Sequence, residues 1–289
     1  MPLPLVWLDG RLMPLAEARI SPLDRGFLFG DGAYEVLPVY GGRAYRFDPH
    51  MQRLDRSLGE IRMKPPLDRD GWLRAFGALV HGNGGGDQLL YVQVTRGVEP
   101  ERNHVPQPGT RPTIFASVQK LPVIPAEAID KGVAGVTAED IRWSRCDIKS
   151  TSLLGNVLLR WLAADAGATE TILKRGGTVT EGSASSVHVV KDGVVVTPPQ
   201  TNAILPGTTR GVIFELAARE GIGSERRAVS EAELRAADEV LIASAGGGIR
   251  AITTLDGKPV GGGAPGPVYW KIYAAFLATR QEFSTELPG

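Results

Sequence analysis

The sequence predicts an α+β protein of two domains. Its 289 residues can bury a large core and suffice for two domains, and the composition is that of an ordinary soluble globular protein. Strand and helix patterns are interspersed along the chain without a repeat of fixed period. A proline-bearing stretch at 121–131 is the predicted interdomain linker, which leaves a small N-terminal domain over 1–120 and a larger C-terminal domain over 132–289.

Charge and cysteine content exclude several classes of protein. The 32 basic and 32 acidic side chains balance, so neither a nucleic acid nor a membrane is an expected partner. The single cysteine, Cys146, excludes an intrachain disulfide, and the N-terminus has no basic stretch followed by a long apolar run, so we expect a cytoplasmic protein. No metal is expected, because the histidines lack ligand spacing: His50, His81, His104 and His188.

The N-terminal half begins with strand patterns. VWLDGRLMP predicts two strands about an Asp9–Gly10 turn, and AYEVLPVYGGRAYRF predicts two more about Gly41–Gly42. A helix is predicted over 48–63 with Asp48 as its cap, and a second over 70–81. LLYVQVTRG and TIFASVQKL then predict two further strands.

Strand patterns also dominate the C-terminal half. ETILKR and TVTEG predict strands, and SSVHVVKDGVVVTPP predicts a hairpin that turns at Asp192–Gly193. ILPGTTRG leads into a predicted helix over 210–220, and ADEVLIASAGGGIRAITTLDG predicts two strands joined by a glycine turn.

Lys149 is the strongest candidate for a chemical role. Ile141–Trp143 predicts a short strand, and a helix is predicted to begin near Ser150 or Thr151, because apolar residues recur at helical spacing: Leu153, Leu154, Val157, Leu158, Trp161 and Leu162. Lys149 would then lie at a helix N-terminus close to Arg142, where its ammonium form is disfavoured, as a Schiff-base lysine requires. The alternative is a solvated surface lysine.

Four segments carry a family resemblance. DRGFLFGDGAYEV, IRWSRCDIKS, TVTEGSASSV and LPGTTRG resemble, in order and separation, the signature segments of the fold-type IV pyridoxal-phosphate aminotransferases. CDIKS, YEV and VTRG are most similar to the D-amino-acid transaminases of that family. The resemblance implies a homodimer with active sites between the domains and at the dimer interface, and pyridoxal 5′-phosphate as cofactor.

The resemblance also implies roles for individual residues. Lys149 would be catalytic, holding the cofactor as a Schiff base and then acting as general base in a ping-pong reaction. Glu181 would keep the pyridine nitrogen protonated, Arg142 would lie near the 3-hydroxyl, and Leu205 would support the ring face. Arg53 would bind the phosphate, together with other cofactor-binding residues: Ser183, Gly207, Thr208, Thr209, Ser244 and Ala245. Taken alone, the Gly207–Thr209 helix start is equally compatible with anion binding and with threonine capping.

The turn Ser244–Gly248 departs from the D-amino-acid transaminase pattern. Ala245 stands where the family usually has a phosphate-binding side chain, although the glycines that follow can still offer backbone N–H groups to an anion. Gly246 is expected to line the substrate side of the pocket. The turn also resembles the alanine-glycine-glycine turn of (R)-selective amine transaminases.

Two further pairs are expected at the substrate. Tyr34 and Val36, two apart on a strand, should share one face, either as pocket walls or as a half-buried pair. Arg102 and His104 match an arginine-x-histidine pair that the family uses, from the partner subunit, to bind the substrate carboxylate. The pair comes one position late relative to VTRG, and Glu101 at the usual arginine place is an alternative sign of weaker carboxylate binding.

The resemblance therefore predicts transamination from a D-amino acid such as D-alanine to a 2-oxo acid, 2-oxoglutarate or pyruvate. An (R)-selective amine:pyruvate transaminase is the first alternative, favoured by the 244–248 turn and Glu101. An aminodeoxychorismate lyase would share Lys149 and Glu181 but release pyruvate without an acceptor. A non-catalytic cofactor-binding protein is the last alternative.

Overall fold

The computed structural model describes all 289 residues, which form two compact units. Unit 1 comprises Met1–Pro122, Ile148–Ser152 and Arg280–Gly289, and unit 2 comprises Val123–Asp147 and Leu153–Thr279. The first change of unit thus lies within the predicted linker.

The division into units differs from the predicted domains at Lys149. The sequence placed this lysine in the C-terminal domain, whereas its segment belongs to unit 1. Backbone pairing is the reason: the Lys149 carbonyl accepts a hydrogen bond from Tyr34 N at 3.0 Å, and Thr151 N donates to the Gly32 carbonyl at 3.1 Å. The chain therefore returns to unit 1 for five residues before it continues in unit 2.

Unit 1 is an antiparallel sheet with helices. The sheet has seven strands: Pro2–Leu8 (β1), Arg11–Pro14 (β2), Gly32–Tyr40 (β3), Arg43–Tyr45 (β4), Gln88–Thr95 (β5), Thr113–Lys120 (β6) and, from the C-terminal end of the chain, Ser284–Glu286 (β16). Across the sheet they lie in the order β16-β4-β3-β5-β6-β1-β2. The helices are Arg25–Phe29 (α1), Phe47–Glu60 (α2) and Arg69–Gly82 (α3). Apolar side chains of α2, α3 and the sheet form one core cluster.

Unit 2 is built on a nine-stranded sheet. Its strands are Val133–Glu139 (β7), Glu170–Arg175 (β8), Thr178–Gly182 (β9), Ser186–Lys191 (β10), Val194–Thr197 (β11), Ser224–Arg226 (β12), Glu239–Ser244 (β13), Gly248–Leu255 (β14) and Lys258–Pro259 (β15). Eight of them lie in the order β12-β11-β10-β13-β14-β7-β8-β9, and β15 pairs with β14. The helices are Ala126–Asp130 (α4), Leu154–Asp165 (α5), Thr208–Arg219 (α6), Glu231–Arg235 (α7) and Pro267–Ala278 (α8). Together the two units confirm the predicted α+β class.

The start of α2 differs from its prediction. The helix begins at Phe47, after Arg46, which is the N-cap in the left-handed region at φ 54°. Asp48 is therefore not the cap. Its carboxylate lies in the first helical turn and accepts a 2.7 Å hydrogen bond from Arg69 Nε.

The predicted strand at Ile141–Trp143 and the predicted helix start at Ser150 or Thr151 are wrong. Residues 141–143 form no strand, and α5 begins at Leu154 without a side-chain cap. Thr151 Oγ1 donates instead to the Gly30 carbonyl at 2.9 Å, because the β3 region holds this segment.

The apolar face of α5 is exposed. Leu154 is 72% and Trp161 62% exposed, and three neighbours on the helix are also exposed: Val157, Leu158 and Leu162. Leu159 and Ala163 are the buried residues of this helix. None of the helices in the protein is both long and apolar enough to cross a membrane.

His188, on β10 in unit 2, is a buried histidine that makes the stability of the protein depend on pH. Its side chain is fully buried, Nδ1 has no hydrogen-bond partner, and burial, with the charge of Arg210, lowers its pKa to about 3. In the folded protein the His188 imidazole therefore stays neutral below about pH 6.5, where the same imidazole in the unfolded chain binds a proton.

We predict that His188 makes stability fall as the pH is lowered from about 6.5 towards 4.5, by at most roughly 1.4 kcal/mol per pH unit. Urea unfolding of wild type and of His188→Leu across this range would measure it, and the variant should show a shallower slope. The exposed His81→Gln is the control and should keep the wild-type slope. Equal slopes in wild type and His188→Leu would contradict the assignment.

Candidate active site

Lys149 lies in an irregular segment that is fixed by β3 and α2. Its backbone N–H donates to Ser57 Oγ at 3.1 Å, and its carbonyl accepts from Tyr34 N at 3.0 Å. Lys149 Nζ lies 4.2 Å from the centroid of the Tyr34 ring. The predicted position at a helix N-terminus is wrong, since α5 begins only at Leu154.

Tyr34 and Val36 share one face of β3, as their spacing predicted. Val36 is paired in register with Tyr91 of β5, and the Tyr34 and Tyr91 rings lie 5.7 Å apart. The Tyr91 hydroxyl donates to Gln93 at 2.6 Å, and burial raises the pKa of Tyr91 to about 12. This face is half-buried and aromatic. Substrate contact by Tyr34 and Val36 stays a prediction.

The opposite face of β3 carries a buried charge cluster that the sequence analysis did not identify. Glu35 is fully buried and accepts hydrogen bonds from Arg53 Nε at 2.7 Å and Nη2 at 2.8 Å, and its Oε2 lies 2.7 Å from His50 Nδ1. Burial would raise the pKa of Glu35, but Arg53 and then His50 hold it far below its usual range. Two of the Arg53 donors are thus used by Glu35, and its phosphate role stays a prediction.

A signal for this cluster was present in the sequence. Glu35 stands among apolar residues of a strand, and His50 and Arg53 are three positions apart, which places them on one face of α2. A buried carboxylate needs such partners.

Arg102 and His104 lie on an exposed loop and meet at one aromatic ring. The guanidinium carbon of Arg102 is 4.8 Å from the centroid of Phe29, and the His104 ring is 5.3 Å from it. Glu101 makes no ion pair with Arg102, and Glu101, Arg102 and His104 are all exposed. The structure therefore brings the predicted pair together.

In unit 2, Arg142 links two buried carboxylates. Its Nη1 donates to Glu181 Oε1 at 2.7 Å, while Nε and Nη2 donate to the two Asp140 oxygens at 2.9 and 3.0 Å. Leu205 N donates to Glu181 Oε2 at 3.2 Å. Burial raises the pKa of Glu181 to about 7, against the opposing effect of Arg142. The structure thus connects three predicted residues and adds Asp140, which the sequence analysis missed.

The remaining predicted cofactor residues of unit 2 form two turns. Gly207 is the N-cap of α6 and no side chain caps the helix there, so Thr208 and Thr209 lie in its first turn, where backbone N–H groups point outward. Ser244 Oγ accepts a hydrogen bond from Gly247 N at 3.1 Å. A Cβ atom at Gly247 would lie 2.7 Å from Ser244 Oγ, so a side chain there would displace the serine hydroxyl.

The turn around Ser244 also contains Ala245 and Gly246, which are half-buried. Ser183, in contrast, is directed elsewhere. It is 1% exposed, and both its hydroxyl and its backbone N–H donate to the buried carboxylate of Glu170. Cofactor contact by Ser183 stays a prediction.

Comparison with known proteins gives one family. The model of the class IV amino-transferases matches residues 32–255. The D-alanine aminotransferase of Bacillus licheniformis is 40% identical over 93% of this chain and 95% of its own length. That of Staphylococcus haemolyticus is 36% identical over 94% of this chain and 96% of its own.

Solved structures show the same fold. The branched-chain amino acid aminotransferase of Escherichia coli has a TM-score of 0.93 at 23% identity, covering 99% of this chain and 100% of that one. A fold IV transaminase from Curtobacterium pusillum has a TM-score of 0.80 at 26% identity and covers 93% of both chains.

Proposed function

This chain belongs to the class IV aminotransferases, and from that membership we propose that it transfers the amino group of D-amino acids such as D-alanine to a 2-oxo acid. The observation that carries the proposal is the 40% identity to a D-alanine aminotransferase over nearly the whole of both chains. The acceptor is 2-oxoglutarate or pyruvate. The enzyme is a pyridoxal 5′-phosphate enzyme, and this cofactor stores the amino group between donor and acceptor.

The residues fit this cofactor in their chemistry. Lys149 supplies a primary amine on a backbone that hydrogen bonds fix on both sides. Glu181 supplies a buried carboxylate that Arg142, which also pairs with Asp140, compensates only in part, since burial still raises the pKa of Glu181 to about 7. A protonated ring nitrogen would add positive charge beside it. The uncapped start of α6 supplies N–H groups for a phosphate.

Lys149 is the proposed general base. Its Nζ takes the proton from the α-carbon of the donor and, in the second half-reaction, gives a proton to the α-carbon of the acceptor on the same face, which sets the handedness of both amino acids. Tyr34 lies beside Nζ and supports its position. Glu181, oriented by Arg142 and Leu205 N, would stabilise positive charge at the ring nitrogen of the cofactor. Arg102 and His104 of each subunit bind the donor carboxylate in the active site of the other subunit.

One observation favours a second candidate, an (R)-selective amine transaminase. The turn after Ser244 presents only Ala245 and glycines, so it offers no further hydroxyl on its side of the site. A donor without a carboxylate requires less polar recognition than an amino acid does.

A half-reaction distinguishes the two. Cofactor-loaded enzyme is mixed separately with D-alanine, L-alanine and (R)-1-phenylethylamine, and the loss of visible cofactor absorbance is followed. Rapid loss with D-alanine and little with L-alanine is the expected result. Reaction mainly with (R)-1-phenylethylamine would replace the proposed donor, and pyruvate release from aminodeoxychorismate without an acceptor would indicate a lyase.

We propose that the protein is a homodimer and acts in the cytoplasm. A lone, buried cysteine fits a reducing compartment. The exposed apolar face of α5 supports a dimer, as do exposed side chains on unit 1: Ile20, Leu23 and Phe27. Apolar patches of this kind usually mark protein interfaces, and a symmetric dimer covers the same patch on both copies.

The dimer gives a mutational prediction. Trp161→Glu should raise the dimer dissociation constant by about thirty-fold or more, since a central interface tryptophan contributes roughly 2 kcal/mol or more. Light scattering across a dilution series measures it. Trp270→Glu is the control, a half-exposed tryptophan on α8 of the same unit that should leave the dimer intact. A monomeric wild type, or an equal effect of both variants, would rule out the α5 face.

A further inference from the structure

Arg25, in the short helix α1, is a buried arginine at the centre of a chain of alternating charges. Its side chain is 4% exposed. Nε donates to Asp31 Oδ2 at 2.8 Å and Nη1 donates to Glu99 Oε2 at 3.0 Å, and Asp31 in turn pairs with Arg96 Nε at 2.7 Å. Burial would lower the pKa of Arg25, but the two carboxylates raise it. Two positive and two negative charges balance here.

The same guanidinium holds the backbone of the loop that carries Arg102 and His104. Arg25 Nη1 donates to the Asn103 carbonyl at 2.5 Å, and Nη2 donates to the His104 carbonyl at 3.0 Å. The side chains of the loop are exposed, whereas Arg25 is buried, so Arg25 fixes the loop backbone from the inner side.

Glu99 secures the following part of the loop. Its Oε1 accepts hydrogen bonds from Gln107 N at 2.8 Å and from Thr110 Oγ1 at 2.9 Å, while Oε2 pairs with Arg25. One buried carboxylate therefore joins Arg25 to the loop beyond His104.

Phe29 adds a contact to the side chains themselves. It lies one helical turn after Arg25, and its ring centroid is 4.9 Å from the Arg25 guanidinium carbon and 4.8 Å from that of Arg102. The His104 ring packs at 5.3 Å. Asp31 and Glu99 are balanced by Arg25 and Arg96, and no carboxylate pairs with Arg102, so the charge of Arg102 is left for an anion.

We propose that Arg25 is a positioning residue for carboxylate recognition: it holds the 102–104 backbone over Phe29, so that Arg102 and His104 are preset for the carboxylate of the substrate. The inference rests on the proposed function for the role of Arg102 and His104. Preorganisation of this kind strengthens binding because the loop need not be ordered when the ligand arrives.

The test measures carboxylate binding directly. Propionate, which has a carboxylate but no amine, is titrated into cofactor-loaded wild type, Arg25→Met and Arg25→Lys by calorimetry, and KM and kcat for D-alanine are measured beside it. In Arg25→Met we expect the propionate Kd and the D-alanine KM to rise together by about ten- to a hundred-fold, with kcat at saturation within about three-fold of wild type. Arg25→Lys should recover little, because an ammonium cannot bridge two carboxylates and two carbonyls.

Arg19→Met is the matched control. Arg19 also donates to two backbone carbonyls, those of Ala16 and Ala18, but it is exposed and lies outside the loop network. It should leave Kd, KM and kcat unchanged. Glu99→Gln keeps a side chain of the same size and should give a smaller rise in both Kd and KM.

Each remaining outcome is decisive. An unchanged propionate Kd in the Arg25 variants, or a fall in kcat and cofactor content without a change in Kd, would overturn the inference and indicate a purely structural arginine. If wild type binds propionate but does not react with D-alanine, the proposed donor is wrong, and the role of Arg25 is still decided by the Kd comparison.

Discussion

Lys149→Ala is expected to lower kcat/KM with D-alanine by at least about ten-thousand-fold. The variant loses both the amine that holds the cofactor and the base that moves the α-proton, and general acid–base catalysis alone contributes up to roughly 10⁴-fold. The visible absorbance of lysine-bound cofactor should disappear as well.

The fold should survive this substitution. The hydrogen bonds that fix Lys149 use its backbone N–H and carbonyl, which alanine retains. The side chain contributes one contact, with the Tyr34 ring, worth roughly 1 kcal/mol. A thermal melt close to that of wild type, together with lost activity, would separate chemistry from folding.

Lys258→Ala is the control for Lys149, since it removes an exposed lysine on β15. It should keep wild-type activity and absorbance. If Lys149→Ala retained activity within ten-fold of wild type, Lys149 could not be the catalytic amine, and another lysine would have to be sought.

Local sequence chemistry predicted much of the fold. The hairpins at Asp9–Gly10 and Asp192–Gly193 are confirmed, because both residues of each turn adopt positive φ, which aspartate-glycine pairs permit. The error at 141–151 has a non-local cause. Segment 148–152 is held by β3, more than 100 residues earlier in the chain, and this pairing prevails over the helical pattern that follows.

The same distinction applies to the candidate site. Spacing predicted that Tyr34 and Val36 share a face, because strand periodicity is local. Ion pairs between distant residues leave no such pattern: Glu181 lies 39 positions from Arg142, and Glu99 lies 74 from Arg25. The pairing of these carboxylates with the arginines therefore became visible only in the structure.

Glu181→Gln is expected to reduce kcat by about 100- to 1000-fold, the effect of removing one preorganised electrostatic contact to a developing charge. Glutamine has the same shape and can still accept the Leu205 N–H, but it is neutral and cannot stabilise a proton on the ring nitrogen. D-alanine KM should change much less than kcat.

Arg142 loses its hydrogen bond to residue 181, because one amide oxygen cannot also accept from Arg142 when it accepts the Leu205 N–H. The fold should still survive, because Arg142 retains both hydrogen bonds to Asp140. The pH dependence of the stability should change. With its pKa raised to about 7, Glu181 in the cofactor-free protein binds a proton more tightly than in the unfolded chain, so it lowers stability as pH rises from about 4.5 through 7. Cofactor-free Glu181→Gln should therefore be at least as stable as wild type at pH 8.

Glu170→Gln is the control that separates the electrostatic role of Glu181 from the general effect of changing a buried carboxylate. Glu170 is as buried as Glu181 and lies in the same unit, but it accepts hydrogen bonds from Ser183 and Ser185. We expect it to lower the melting temperature more than Glu181→Gln does, because an amide cannot accept all of these donors, and to lower kcat less. A Glu181→Gln enzyme with wild-type kcat would show that the ring nitrogen needs no carboxylate, whereas equal losses of kcat in both variants would assign the effect to packing.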